Sequence, residues 1–249
     1  MEKNRKMLEE ASFGKLLLNL CLPTILIMLV MVVYNMADTF FIGQTGDPVK
    51  IAAISLCAPL FSILSGLGTL LGSGGCTAVS LALGKQENSR IKAYTSLCCY
   101  GSLVIGFLFL TFVLIFLTPI SLALGADSAT LSHTCGYLRI IALGAPVILF
   151  NNVFANIIRA DGAAKESMIA NGLGTLSNIA LDALFILVFS WDVAGAALAT
   201  VLGNAISCCY LLFYILKKQP AFSLHPKFLS LKKEILLPVT TLGLPLACS

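Results

Sequence analysis

Long apolar stretches alternate with short polar ones along the whole chain. Six of them are long enough to cross the ~30 Å hydrocarbon core of a bilayer as helices; they cover about 16–43, 51–83, 93–118, 134–158, 167–189 and 193–216. A seventh begins near residue 235 and is cut off at Ser249, which is too short for a crossing. Since each stretch is long enough for a membrane helix, the pattern predicts an all-α polytopic membrane protein.

These stretches divide the chain into four parts. We predict a cytoplasmic N-terminal segment over 1–15, a six-helix transmembrane lobe over 16–216, a cytoplasmic connection over 217–234 and the truncated start of a seventh transmembrane helix over 235–249. A weak similarity between Lys15–Pro23 and Leu237–Pro245 suggests that the seventh helix begins a repeat of the first lobe. Repeated halves are typical of secondary transporters, so we expect the second, C-terminal lobe to be missing here.

Composition and charge agree with a membrane location. Hydrophobic residues make up 58% of the chain, charged residues 11%, and the mean hydropathy is +0.94, which excludes an ordinary soluble domain. The net charge of +4 does not indicate nucleic-acid binding, because the basic residues lie in short loops. With the N-terminus in the cytoplasm, all but Lys50 and Arg139 of the 16 basic residues fall on the cytoplasmic side. The positive-inside rule therefore predicts a multi-pass protein of the cell (inner) membrane with a cytoplasmic N-terminus.

The sequence offers little for an enzyme. The nine cysteines form no Cys-x-x-Cys or Cys/His ligand spacing, so we expect buried thiols and no metal site of that kind. The two histidines, His133 and His225, lie in loops, and no nucleophile–base set is apparent. We therefore expect no enzymatic activity and no bound cofactor.

The fifth stretch, over 167–189, contains a carboxylate, which is energetically unfavourable in a membrane helix. Asn171, Asn178 and Asp182 interrupt its apolar sequence, and it contains no basic residue. Asn178 and Asp182 are four residues apart and lie on one helix face. Since a charged side chain at the bilayer centre costs about 2.5–3.5 kcal/mol on insertion scales, we expect Asp182 to face a cavity or the helix bundle, or to carry a proton.

Polar residues of three stretches share one depth. Asp38, Asp182 and Thr200 each lie about 8–11 Å below the outer end of their helix at 1.5 Å per residue. A second group approaches this level from the fourth and fifth stretches: Asn151, Asn152, Asn156 and Asn178. Two carboxylates at one level could take up H⁺, or bind Na⁺ together with amide and hydroxyl oxygens. Alternatively, each polar residue separately satisfies a neighbouring helix.

Several motifs resemble one transporter family. They are Pro23 followed by Tyr34-Asn-Met-Ala-Asp38-Thr-Phe-Phe-Ile-Gly43, Tyr137-Leu-Arg-Ile with Pro146, Arg159-Ala-Asp-Gly162, and Asn178-x-x-x-Asp182 with Thr200 eighteen residues later. Taken in this order, they are similar to the N-terminal half of MATE (multidrug and toxic compound extrusion) transporters, in particular the DinF-like prokaryotic branch.

The resemblance implies a twelve-helix protein of two six-helix lobes that exports drugs and organic cations in exchange for H⁺ or Na⁺. It places the cation-coupling site at Asp38, Asn178, Asp182 and Thr200. Tyr34, Asn152 and Asn156 are expected in the substrate cavity, with either asparagine as the family's fourth-helix residue, and Pro23 as a point of helix bending.

Two alternatives stay open at this point. A related lipid-linked oligosaccharide flippase would need basic residues in the membrane cavity to bind phosphate, and among the predicted membrane stretches only Arg139 qualifies. The chain could also be an inactive fragment, because its lobe interface would face lipid without the missing lobe. The expected partners of the complete protein are small-molecule drugs, the bilayer and that second lobe, and not nucleic acid.

Overall fold

The described part of the chain is built from helices. The computed structural model describes residues 46–218, 222–230 and 233–247, with a few single residues between 25 and 44. The α-helices are α1 (Pro48–Gly84), α2 (Asn88–Ile115), α3 (Leu117–Ala123), α4 (Leu131–Ala160), α5 (Ala164–Asp182), α6 (Asp192–Lys218) and α7 (Lys233–Ala247). A π-helical segment, Ala183–Val188, continues α5, and a 3₁₀ turn, Pro226–Phe228, precedes α7. The expectation of an all-α polytopic membrane protein is confirmed.

Five helices in this part of the chain are long and apolar enough to cross a membrane: α1, α2, α4, α5 with its π-helical continuation, and α6. They correspond to the second to sixth apolar stretches of the sequence. Most of the first stretch lies outside the described residues, and so do Pro23, Tyr34 and Asp38.

The third apolar stretch, expected over 93–118, divides into two helices. α2 ends at Ile115, and α3 starts again at Leu117 after a single residue, Phe116. Pro119 explains the break, because a proline ring clashes with the carbonyl group four residues earlier and supplies no N–H for it. That carbonyl belongs to Ile115, the last residue of α2.

α4 is the central helix of the lobe. Of its most apolar 18-residue window, 72% is buried, against at most 39% in the other four spanning helices. Phe154, Leu149 and Ile157 are fully buried on it. α1, α2 and α6 all pack extensively against α4. Polar side chains on α4 are therefore enclosed by neighbouring helices.

Two glycines of α1 allow it to approach α4 closely. A Cβ atom on Gly68 would lie 3.0 Å from the Cβ of Asn152, and one on Gly72 would lie 3.0 Å from the Nδ2 of Asn156. The Gly68-x-x-x-Gly72 spacing thus forms the surface on which these two asparagines pack, as small-residue motifs do between membrane helices.

Candidate functional site

Asn178 connects Asp182 to α6. In the amide orientation that satisfies both ends, Asn178 Nδ2 donates a hydrogen bond of 3.1 Å to Asp182 Oδ2. Its amide oxygen accepts one of 3.1 Å from the backbone N–H of Thr200. Asp182 is 0% exposed, and Asn178 and Thr200 are each 3% exposed. The structure therefore brings together three of the four residues expected in the cation site.

Close packing of α5 on α6 makes this connection possible. A Cβ atom on Gly203 would lie 2.8 Å from the Cβ of Asn178, and one on Gly174 would lie 3.0 Å from the carbonyl oxygen of Gly203. Because neither glycine carries a side chain, the two helices approach until an asparagine amide reaches the backbone of the opposite helix.

The α-helical geometry of α5 ends at the carboxylate itself. Residues Ala183–Val188 form a π-helix, and the ring of Phe185 stacks on Trp191 with centroids 5.2 Å apart. π-Helical segments inside α-helices are rare and frequently occur at functional sites. The wider turn begins directly after Asp182, so the helix geometry changes at this buried carboxylate.

A cavity of about 250 Å³ opens between α1, α4, α5 and α6 beside this group. Ten of its sixteen lining residues carry amide or hydroxyl side chains. Its polar lining residues are Ser65, Asn151, Asn152, Asn156, Arg159, Asn171, Thr175, Asn178, Thr200, Asn204 and Ser207. Asn152 and Asn156, the two fourth-helix residues expected in the substrate cavity, both line it, while Asp182 is buried next to Asn178.

Several cavity residues were not identified from the sequence. Asn204 and Ser207 follow Thr200 by four and seven residues, and Thr175 precedes Asn178 by three, so helical periodicity could have found them. Asn171, already noted as a polar residue of the fifth stretch, lines the same wall. Asn204 also holds α6 to α4, because its Oδ1 accepts a 3.0 Å hydrogen bond from Asn151 Nδ2.

Arg159 is the other residue whose position the sequence did not reveal. Assigned from the sequence to a cytoplasmic loop, it lies in the last turn of α4 and lines the cavity. Arg139, assigned to the outer side, is exposed. Among the described lining residues, Arg159 is the only one with a formal charge.

The cavity wall offers both hydrogen-bond donors and acceptors. Each amide offers a carbonyl oxygen as acceptor and two N–H donors, and oxygen atoms of this kind suit alkali cations. Asp38 lies outside the described residues, so the pair of carboxylates at one depth stays a prediction. A helical membrane domain with a cavity lined by amide and hydroxyl groups between its membrane-spanning helices is typical of membrane transport proteins.

Comparison with known proteins identifies the family. The MatE family matches residues 23–184, and the chain belongs to this family. The multidrug export protein MepA of Staphylococcus saprophyticus is 32% identical over 237 residues, which is 95% of this chain and 52% of that protein. MepA of Staphylococcus aureus (strain NCTC 8325) is 33% identical with the same coverage. The chain thus spans about half the length of these relatives, which are transporters and not enzymes.

Solved structures show the same fold. A multidrug resistance MATE family transporter in an outward-facing conformation superposes with a TM-score of 0.86 at 27% identity, over 93% of this chain and 51% of that one. A transporter of the MOP superfamily from Pyrococcus furiosus gives the same TM-score, identity and coverage. That second structure is described as having a binding pocket of reversed polarity, which suggests a different function.

Proposed function

We propose that the complete protein is a cation-coupled multidrug efflux antiporter and that this chain supplies its N-terminal lobe. The observation that carries the proposal is the fully buried Asp182, held by Asn178 against Thr200, beside a polar cavity between membrane helices. The names of the relatives, multidrug export proteins, support the same activity. We further propose a cell-membrane location with a cytoplasmic N-terminus, on the distribution of basic residues.

The coupling ion would act at the carboxylates. H⁺ or Na⁺ arriving at Asp182, beside the oxygens of Asn178 and Thr200, would remove the negative charge that attracts an organic cation, and we propose Asp38 as the second carboxylate of this site. The hydrogen bond from Asn178 Nδ2 to a neutralised Asp182 would weaken, since hydrogen bonds to charged groups are the stronger ones. An ion that binds one conformation better shifts the lobe toward it, and the cation is released on the other side.

Transport by the complete protein tests this proposal. Inside-out vesicles are given a fluorescent cationic dye and either a pH gradient alone or a Na⁺ gradient alone. We expect one gradient to drive dye uptake in the wild type and the Asp182→Asn variant to lose this uptake by at least about 100-fold, because the essential charge is gone. The gradient that works identifies the coupling ion.

A matched control is Asp127→Asn, which makes the same chemical change on an exposed loop between α3 and α4. It should retain gradient-driven uptake. Full coupled uptake by the Asp182→Asn variant would contradict the proposal.

A second candidate function is the lipid-linked oligosaccharide flippase. Arg159 in the cavity wall favours it, since such a substrate carries phosphate. Absence of gradient-dependent uptake of any dye, together with flipping of a labelled lipid-linked sugar, would support this alternative.

A further inference from the structure

Arg159 presents a cation at one end of a cavity that the proposed function assigns to cationic compounds. Along α4 it lies eight residues from Asn151, about 12 Å away along the helix axis. Both residues line the cavity, so the space extends from the Asn178–Thr200 level toward the end of α4 that leads into α5. A cationic substrate alone would not need a guanidinium group in this wall.

The guanidinium of Arg159 is held in place at one nitrogen. Its Nε donates a 3.1 Å hydrogen bond to the hydroxyl of Ser167, and Ser167 in turn donates a 2.7 Å bond to the carbonyl of Ala155. Ser167 is fully buried. This chain fixes the plane of the guanidinium and leaves its two terminal nitrogens, with four N–H groups, for other partners.

The described residues supply no carboxylate to Arg159. No carboxylate oxygen among them lies within 4.0 Å of its nitrogens. The nearest acid in sequence on α5, Glu166, instead accepts a 2.5 Å hydrogen bond from the hydroxyl of Tyr210. Because an unpaired charge in a partly buried position is costly, an anionic group from a ligand would stabilise this arrangement.

Neighbouring polar groups extend the same end of the cavity. Asn156 lies three residues before Arg159 on α4, and Asn171 lies four residues after Ser167 on α5. Ser207 is 1% exposed, lines the cavity, and its hydroxyl has no hydrogen-bond partner among the described residues. Hydrogen-bonding capacity is thus available around the guanidinium.

We propose that Arg159, oriented by Ser167, forms an anion subsite that binds the carboxylate of an amphipathic, drug-like substrate. The guanidinium plane matches a carboxylate, with which it forms two parallel hydrogen bonds. A single cation balances one negative charge, which fits a carboxylate better than a pyrophosphate. The inference rests on the proposed transport function and assigns Arg159 as the residue that contacts a substrate carboxylate.

Binding to the purified complete protein in detergent tests the subsite without any gradient. The probes are a rhodamine with a free carboxylate and the methyl ester of the same dye, followed by fluorescence anisotropy. We expect Arg159→Gln to raise the Kd of the acid about tenfold and that of the ester less than twofold, because only the acid contacts the guanidinium. Arg159→Lys should lie between, since it keeps the charge and loses the planar pair of donors.

Other results would overturn the inference. If Arg159→Gln weakens the binding of both dyes equally, Arg159 only positions the α4–α5 turn. If it weakens the binding of neither dye, the carboxylate of the acid does not reach Arg159. If Arg159→Gln fails to fold, Arg159→Lys decides by the same comparison of acid and ester. Displacement of the acid dye by dodecyl phosphate at least about tenfold better than by dodecanoate would assign the subsite to phosphate instead.

The two proposals fail separately. Loss of acid binding in Arg159→Gln, without gradient-driven uptake of either dye in the wild type, would support the subsite and contradict coupled export. Gradient-driven dye uptake by the wild type, together with an equal change in Kd for acid and ester in Arg159→Gln, would support coupled export and contradict the subsite.

Discussion

Asn178 determines how a carboxylate is tolerated within the membrane-spanning part of α5. A hydrogen bond to a charged group contributes about 1.5–3 kcal/mol. The cost of a charged residue at the bilayer centre is about 2.5–3.5 kcal/mol on insertion scales. One amide therefore offsets much of this cost without supplying a positive charge. Asn178 thus stabilises Asp182 in its buried position on α5.

Asp127 provides a prediction at the same scale, outside the membrane helices. Its Oδ1 accepts the backbone N–H of Thr130 at 2.9 Å, the Thr130 hydroxyl at 2.8 Å and the N–H of Ala129 at 3.2 Å. These bonds, those from Thr130 first, lower the pKa of the Asp127 carboxyl below its usual value of 3.8. The carboxylate thus stabilises the start of α4 above that pH, and this contribution is lost as the pH falls through the lowered pKa.

We expect Asp127→Asn to lower the Tm of the purified protein at pH 7 and to have a smaller effect the further the pH falls below 3.8. Thermal unfolding followed by tryptophan fluorescence checks this. A Tm difference between wild type and variant that does not change with pH would contradict it.

At the scale of elements, the closest contact between helices is the crossing of α1 and α7. A Cβ atom on Gly74 would lie 1.8 Å from the carbonyl oxygen of Val239, and one on Gly243 would lie 2.1 Å from that of Leu70. The backbones therefore touch directly on both sides of the crossing. Such contacts stabilise membrane helix pairs by van der Waals packing.

Gly74→Ala should separate α1 from α7, because the added methyl group meets backbone that cannot rotate away. We expect a loss of stability of about 1–3 kcal/mol, as for overpacked interiors. The measurement is the midpoint of thermal aggregation by size-exclusion chromatography of the complete protein.

Gly66→Ala on the same helix is the matched control, since a Cβ atom there would meet nothing within 4 Å. It should be neutral or slightly stabilising, because alanine favours a helix over glycine by about 1 kcal/mol. Equal midpoints for the two variants would show that the crossing is not tightly packed.

At the scale of the whole molecule, residues 223–225, between α6 and α7, are hydrogen-bonded to α2. The Thr95 hydroxyl accepts a 3.1 Å hydrogen bond from the backbone N–H of Ser223. Its own proton can go to the carbonyl of Ile91 at 2.9 Å or to that of Ser223 at 3.2 Å. Ser96 donates to the carbonyl of His225 and Tyr100 to that of Leu224. A second link, the 2.6 Å ion pair of Lys50 and Asp192, joins the other ends of α1 and α6. The described residues Ser223–His225 are therefore bound to α2.

Thr95→Ala should release this connection. Amide hydrogen exchange at Ser223 is expected to accelerate up to about tenfold, because one net hydrogen bond contributes about 0.5–1.5 kcal/mol. The measurement is exchange mass spectrometry on a peptide that includes Ser223.

Thr111→Ala is the control variant, since among the described residues the Thr111 hydroxyl bonds only to the carbonyl of Phe107, within its own helix. Exchange at Ser223 should not change in it. Unchanged exchange in both variants would mean that Thr95 does not hold the segment.

The sequence by itself determined the helices and the acidic residue. Membrane helices must satisfy their backbone internally, so length and hydropathy suffice to predict them. A carboxylate in such a helix is conspicuous, and the spacing of Asn178 and Asp182 already placed them on one face. The helices and the spacing of Asn178 and Asp182 both depend on local sequence. In the structure, these two side chains form a hydrogen bond.

Only the tertiary structure decided which helices meet and what they enclose. The contact of Asn178 with the backbone of Thr200 depends on a glycine of α6, and the place of Arg159 in the cavity wall depends on how α4 and α5 pack. The π-helix after Asp182 has no signature in the sequence. These features arise from close packing between segments far apart in the chain, where hydropathy carries no information on which neighbour a residue will meet.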